Sequence, residues 1–161
     1  MKKTLFIISL SFLCLAAHAQ LKWYSITKRD IVLYSCMAVA GTADGFNQAI
    51  IHHDYGKGIS FIDYETSWKR KYRNADINDY RPAYIGSKSW LVWTTDAYHL
   101  SRTVDHTATI GGIVIASTSD LKQYHKKDRW KVLAIKRGIV PLVIRGIFFS
   151  AFYNKLGYER R

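Results

Sequence analysis

The chain has 161 residues and a formal net charge of +12, with 48% hydrophobic and 14% aromatic residues. That length and apolar content suffice for one domain with a core and exclude a disordered chain, while the lack of a G-X-Y period or sustained heptads excludes collagen and coiled coil. A globular or membrane-associated domain remains.

Lys2 and Lys3 precede an apolar run from Thr4 to Ala17, which ends in Ala17-His18-Ala19 before Gln20. This is the basic, apolar and A-x-A order of a secretory signal peptide, and it predicts cleavage after Ala19, export, and a single helical domain over 20–161. The apolar run of 14 residues is shorter than the roughly 20 that a bilayer span needs. Cys14 follows Phe12-Leu13 rather than a small residue, so a lipid anchor is not expected. Loss of Lys2 and Lys3 lowers the charge from +12 to +10, and loss of Cys14 leaves Cys36 alone. An intramolecular disulfide is then impossible, and Cys36 reads as a small buried hydrophobe.

Three long apolar segments follow, separated by two basic, aromatic connectors, and the 3.6-residue pattern predicts a mainly α fold: a small bundle of about three long helices with irregular connectors. The first segment runs from about Asp30, an N-cap or first-turn acid, to His53, with Asp44 the one formal charge between Ile31 and Ile51. Gly41 and Gly45 form a small-xxx-small pair on it, extended by Ala38 and Ala49, through which another helix of the bundle or a second copy of the chain could approach closely.

The second segment runs from about Ser89 to Ala116. Trp90 to Trp93 open it, and Ile110-Gly111-Gly112-Ile113-Val114-Ile115 close it. Continuity of the periodic pattern favours one long or kinked helix over a strand after Gly112. The third segment starts near Asp128 and continues through Tyr153, with Pro141 expected to kink it or to mark a new first turn.

The middle of the second segment is polar. With Asp96 at 0° and 100° per residue, Thr103 falls at about −20°, His99 at about −60° and His106 at about −80°, on one stripe. Asp44, Asn47, Gln48 and His52 share roughly 140° of the first helix, and these two stripes are expected to face each other. A carboxylate with two imidazoles can hold a divalent metal or relay protons, which makes His52, Asp96, His99 and His106 candidate ligands and Asp44 and Asp105 candidate bases. His99 and His106 are separated by about 10.5 Å of helical rise, so one ion could not be gripped by both without a kink or a second centre. The alternative is a hydrogen-bonded and ion-paired network joining helices, with Arg145 pairing one acid, and an Asp44–Arg145 pair is its simplest form.

The connectors interleave charge with aromatic rings: Trp68, Lys69, Arg70 and Lys71 in the first, Lys126, Lys127, Arg129 and Trp130 in the second. For an exported chain these runs suit an anionic membrane surface rather than nucleic acid, since Trp and Tyr favour the bilayer interface. The connector 54–88 holds seven Lys/Arg against five acids and 117–137 holds seven against two. Three full spans would put those runs on opposite sides, against the distribution expected of cytoplasmic loops. With a mean hydropathy of −0.12, the pattern favours a membrane-associated bundle or two spans.

Asn74-x-Asp76-x-Asn78 lacks the Gly and Glu of an EF-hand, Gly56-Lys57-Gly58 lacks P-loop spacing, and no G-x-S-x-G occurs. No standard catalytic motif survives. The sequence predicts an exported, membrane-associated helical-bundle protein of the cell envelope with a buried Asp/His cluster. The competing readings are a metal-dependent hydrolase acting on a phosphate or lipid-like substrate and a small transporter built around Asp44 and Arg145.

Overall fold

The computed structural model describes residues 21–117 and 120–158. The expected signal peptide and its cleavage site lie outside them. Three long helices are present, as the periodicity predicts, and no extended strand occurs among the described residues. Helix α1 is Lys28–His52, α2 is Ala97–Ser117, and the third helical run, 129–158, divides into α3 (Arg129–Lys131), a π-helix (Val132–Ile139) and α4 (Val140–Tyr158).

Helix α1 begins at a capping box. The Asp30 amide donates to Thr27 Oγ1 at 3.3 Å, and the Thr27 amide donates to Asp30 Oδ2 at 2.7 Å, so two amides that the first turn would orphan are satisfied. Asp30 is thus a first-turn acid rather than the cap itself. The start of α2 is later than the apolar pattern suggests. Ser89 to Thr95 form turns, including the 3₁₀ turn Val92–Thr94, and the helix begins only after Asp96, whose carboxylate accepts the His99 amide at 2.8 Å.

The third run contains the element furthest from expectation. Pro141, fully buried at the second position of α4, has no N–H to return to the preceding turn. Upstream the chain winds into eight residues of π-helix, in which the Val140 amide donates to Ile135 O. Pro141 therefore marks a new first turn.

Helix α1 is central and packs on both other long helices. A Cβ on Gly41 would lie 2.2 Å from Arg145 O, and one on Gly45 2.6 Å from Phe149 O, so α4 crosses α1 with the backbones almost touching. The small-residue pair is therefore covered within the chain and is not open to a second copy. Gly112 plays the same part for α2, where a Cβ would meet Met37 Cε at 2.5 Å. These contacts also set directions. Asp30 meets Lys136 and Gly45 meets Phe149, so α1 and α4 are parallel. Asn47 meets Tyr98 and Met37 meets Gly112, so α2 is antiparallel to both.

Gathered at one end are the start of α1, the close of α2 and residues 120–139; at the other lie the close of α1, the start of α2 and the connector 54–96. A helix of 21 residues separates these ends by about 30 Å. Leu33, Met37, Ala40, Ala43, Ala49 and Ile50 of α1 supply most of the buried apolar core. No helix among the described residues is long and apolar enough to cross a membrane.

Candidate functional site

The polar residues singled out by their helical spacing separate into three places. In the middle of the bundle, Arg145 of α4 reaches between the other two helices. Its Nη2 lies 3.2 Å from Asp44 Oδ2 and 2.9 Å from Asp105 Oδ1, and Nη1 donates to Thr109 Oγ1 at 3.3 Å. The expected Asp44–Arg145 pair is present, with Asp105 as a second partner. Both acids proposed as bases give an oxygen to the same guanidinium, and Asp105 also accepts from Thr109 at 3.2 Å, which suits joining three helices better than taking up a proton.

The proposed metal ligands are not brought together. His52 is exposed at the end of α1, and His106 is 61% exposed, 3.6 Å from Asp105. Among the described residues no group of three or more His, Cys, Asp and Glu is placed to hold a metal ion. The reason is geometric: among the described residues the polar stripes of α1 and α2 are joined through Asn47, which donates to Tyr98 O and Ser101 Oγ, and through Arg145, not through the histidines. His53, not His52, packs inward, with its ring 4.5 Å from that of Tyr153 and in the space left by Gly157. Cys36 is half-buried beside Gly111 and Gly112 rather than enclosed.

Asp96 and His99 do form a pair. Asp96 is fully buried and receives His99 Nδ1 at 2.8 and 3.0 Å, the His99 amide, and the Thr95 hydroxyl at 2.9 Å. A carboxylate only accepts, so Nδ1 carries a proton and Nε2 is the free nitrogen. His99 lines an open cleft of about 350 Å³ with Tyr64, Ser67, Trp68, Lys71 and Tyr98. Two residues assigned to membrane contact, Trp68 and Lys71, are therefore walls of this cleft. Lys71 Nζ sits 5.6 Å from the Trp68 ring centre and 5.4 Å from that of Tyr72. Arg70 instead donates to Ser60 Oγ at 2.7 Å, and Lys69 is half-buried in the same turn.

A buried ionic cluster at the opposite end was not foreseen. Lys136 is 4% exposed; its ammonium lies 2.6 Å from Asp30 Oδ2, donates to Tyr124 OH at 2.9 Å and also reaches Ser25 O. Arg137 pairs with Asp120 and lies 3.9 Å from Asp30 Oδ1, and Arg29 lies 3.6 Å from Asp120. Burial by itself would raise the Asp30 pKa, but the hydrogen bonds from Lys136 and Thr27 outweigh it and hold the carboxyl below 3.8. Burial likewise disfavours the Lys136 ammonium, yet Asp30 and Tyr124 keep its pKa above 10.5. The signal available in the sequence was Lys136-Arg137, two adjacent cations inside an otherwise apolar helix.

Around this cluster the surface is basic and apolar. The stretches 21–31 and 120–139 contain ten Lys/Arg and three Asp, a net +7, and the acids are all paired. Lys126, Lys127 and Trp130 are exposed, and Arg129 is half-buried. Beside them Ile31, Val32, Ile110, Ile113, Val114, Leu133 and Ile139 lie between 47% and 62% exposed. A second cleft, of about 440 Å³ and walled by Phe46, Leu100, Val104, Phe148 and Phe152, opens where α2 and α4 fail to close on each other.

In comparisons with known protein families, with curated proteins and with solved structures, the chain matches none.

Proposed function

We propose that this chain is an exported, membrane-associated protein of the cell envelope that attaches peripherally to anionic bilayers through the end of the bundle bearing Lys126, Lys127, Arg129 and Trp130. One observation carries this reading: the net +7 end is also the end where three helices together expose large aliphatic side chains. Large aliphatic side chains exposed together at one end call for a covering partner, and their basic setting selects one that is anionic as well as apolar. The residues of the first connector, Trp68, Lys69, Arg70 and Lys71, lie about 30 Å away and have no part in this attachment. The metal-dependent hydrolase has no ligand group to rest on among the described residues.

Co-sedimentation of the purified chain with phosphatidylglycerol vesicles tests the proposal. Each basic residue near an anionic surface contributes about 1 kcal/mol, so replacing Lys126, Lys127 and Arg129 with Glu should lower the partition coefficient by about a hundredfold or more. Replacing Lys69 and Arg70 with Glu should change it little. Unaltered binding after the triple reversal would refute this mode of attachment. Mass analysis of the amino terminus from native membranes should place it at Gln20 if the chain is exported and cleaved.

A further inference from the structure

The cleft at the far end from the basic surface contains donors without acceptors. Ser67 is 1% exposed, lines the cleft, and its hydroxyl has no hydrogen-bond partner among the described residues. A buried hydroxyl left unpaired costs stability, and one that lines a cleft can regain its missing partner from a bound ligand. Lys71 lines the same cleft, and its ammonium lies against the rings of Trp68 and Tyr72 rather than on a carboxylate. His99 is the third polar group. With Nδ1 committed to Asp96, its Nε2 accepts a proton when neutral and donates one when charged. Glu65, the one acid of the lining, is exposed at the rim.

The remaining wall is aromatic. Tyr64 and Tyr98 meet edge to face at 5.5 Å, Tyr98 meets His99 in the same way at 5.2 Å, and the Trp68 indole N–H is fixed on Glu65 O at 3.0 Å. Trp68 is thereby held as a rigid plate. Donors beside fixed aromatic faces suit a ring-bearing molecule with an anionic group.

We propose that this cleft binds a soluble phosphate monoester carried on a ring. The phosphate is held by Lys71 Nζ, the Ser67 hydroxyl and His99 Nε2, and the ring lies among Tyr64, Trp68 and Tyr98. A phosphate monoester has acceptor oxygens for Lys71 and Ser67. With a second pKa near 6 it also exchanges one proton around neutrality, so it can face the free nitrogen of His99 in either protonation state. This site is independent of membrane attachment, which uses the other end of the bundle.

Calorimetric titration of the full chain with phenyl phosphate tests the assignment, with inorganic phosphate and phenol as the two half-ligands. Phenyl phosphate should bind saturably and at least about tenfold more tightly than either half. Lys71→Ala should weaken it about tenfold or more, since it removes a charge-assisted bond, and Ser67→Ala should weaken it several-fold. Because the Ser67 hydroxyl has no hydrogen-bond partner among the described residues, Ser67→Ala should leave the thermal midpoint unchanged or raised, which separates lost binding from lost folding. Reversing Lys126, Lys127 and Arg129 should leave the titration as it was, and so should prior loading on phosphatidic acid vesicles. Absence of saturable binding, equal affinity in Lys71→Ala and Ser67→Ala, or displacement of phenyl phosphate by the vesicles would each overturn the proposal.

Discussion

Lys136→Met tests how the buried ionic cluster holds the ends of α1 and the third helical run together. Methionine keeps the length of the side chain and removes its three contacts, to Asp30 at 2.6 Å, to Tyr124 OH at 2.9 Å and to Ser25 O. Breaking a buried pair on one side costs about 3–5 kcal/mol, because the remaining charge stays desolvated. Asp30 would keep its capping contacts with Thr27 and the more distant Arg137 at 3.9 Å, which places the expected loss near the lower bound, about 3 kcal/mol. Asp30→Leu with Lys136→Met removes both charges. That double variant should recover most of the loss, short of about 1 kcal/mol for the missing cap. Urea unfolding followed by far-ultraviolet circular dichroism reads these differences as shifts of midpoint at constant slope. A cost under about 1 kcal/mol for Lys136→Met, or a double variant as unstable as the sum of the singles, would refute the argument that an unpaired buried charge is what destabilises.

The same pair gives a pH dependence whose sign is fixed. The Asp30 pKa is depressed below 3.8, so its contribution is complete above the unfolded value and lost as acid protonates it; the Lys136 pKa is raised above 10.5, so its contribution is complete below the unfolded value and lost as alkali removes the proton. Wild type should therefore lose stability relative to the Asp30→Leu/Lys136→Met variant below about pH 4 and above about pH 10.5, measured as urea midpoints across pH. A difference that does not vary with pH would count against the ion pair. Gly41→Ala should cost about 1–2 kcal/mol even though alanine favours helix, because its Cβ meets Arg145 O and Cα, backbone atoms that cannot rotate away. A thermal midpoint at or above wild type would show that α1 and α4 are less tightly opposed.

The helices were legible because apolar spacing and capping are local. Thr27 and Asp30 stand three residues apart and close their own box, and Pro141 announces a first turn. The misread start of α2 has a local cause too: Trp90 to Trp93 are as apolar as a helix face, but the Asp96 carboxylate captures the His99 amide and fixes the first turn after it. The Asp44–Arg145 pair was legible as two isolated charges in apolar runs. The Asp30–Lys136 cluster was not, since it joins residues 106 positions apart and depends on a π-helix that no periodicity signals. Angular position groups Asp96, His99 and His106 on one stripe, although Asp96 precedes the first turn of α2. The rise of about 10.5 Å between His99 and His106 was legible too, but not what each would face: His99 faces the cleft of the first connector while His106 faces out beside Arg145's partner Asp105.

Glycine placement explains why so much apolar surface is left uncovered. Gly41 and Gly45 draw α4 onto one side of α1, and Gly112 draws α2 onto another, so α1 supplies most of the buried core while Ile31, Val32 and Val39 on its remaining side stay exposed along with much of its neighbours. A closed bundle would bury Ile113, Val114, Leu142, Val143 and Ile147 against a further helix, and here all five are more than half exposed. Aliphatic exposure alone would be met equally well by a second protein chain. Under the attachment proposed above, the net +7 charge favours the bilayer: cations crowding an apolar interface between two copies would repel, whereas at a bilayer they would sit among anionic headgroups while the aliphatic groups enter the acyl boundary. High salt should therefore weaken attachment of this chain, which self-association of its apolar faces would not do.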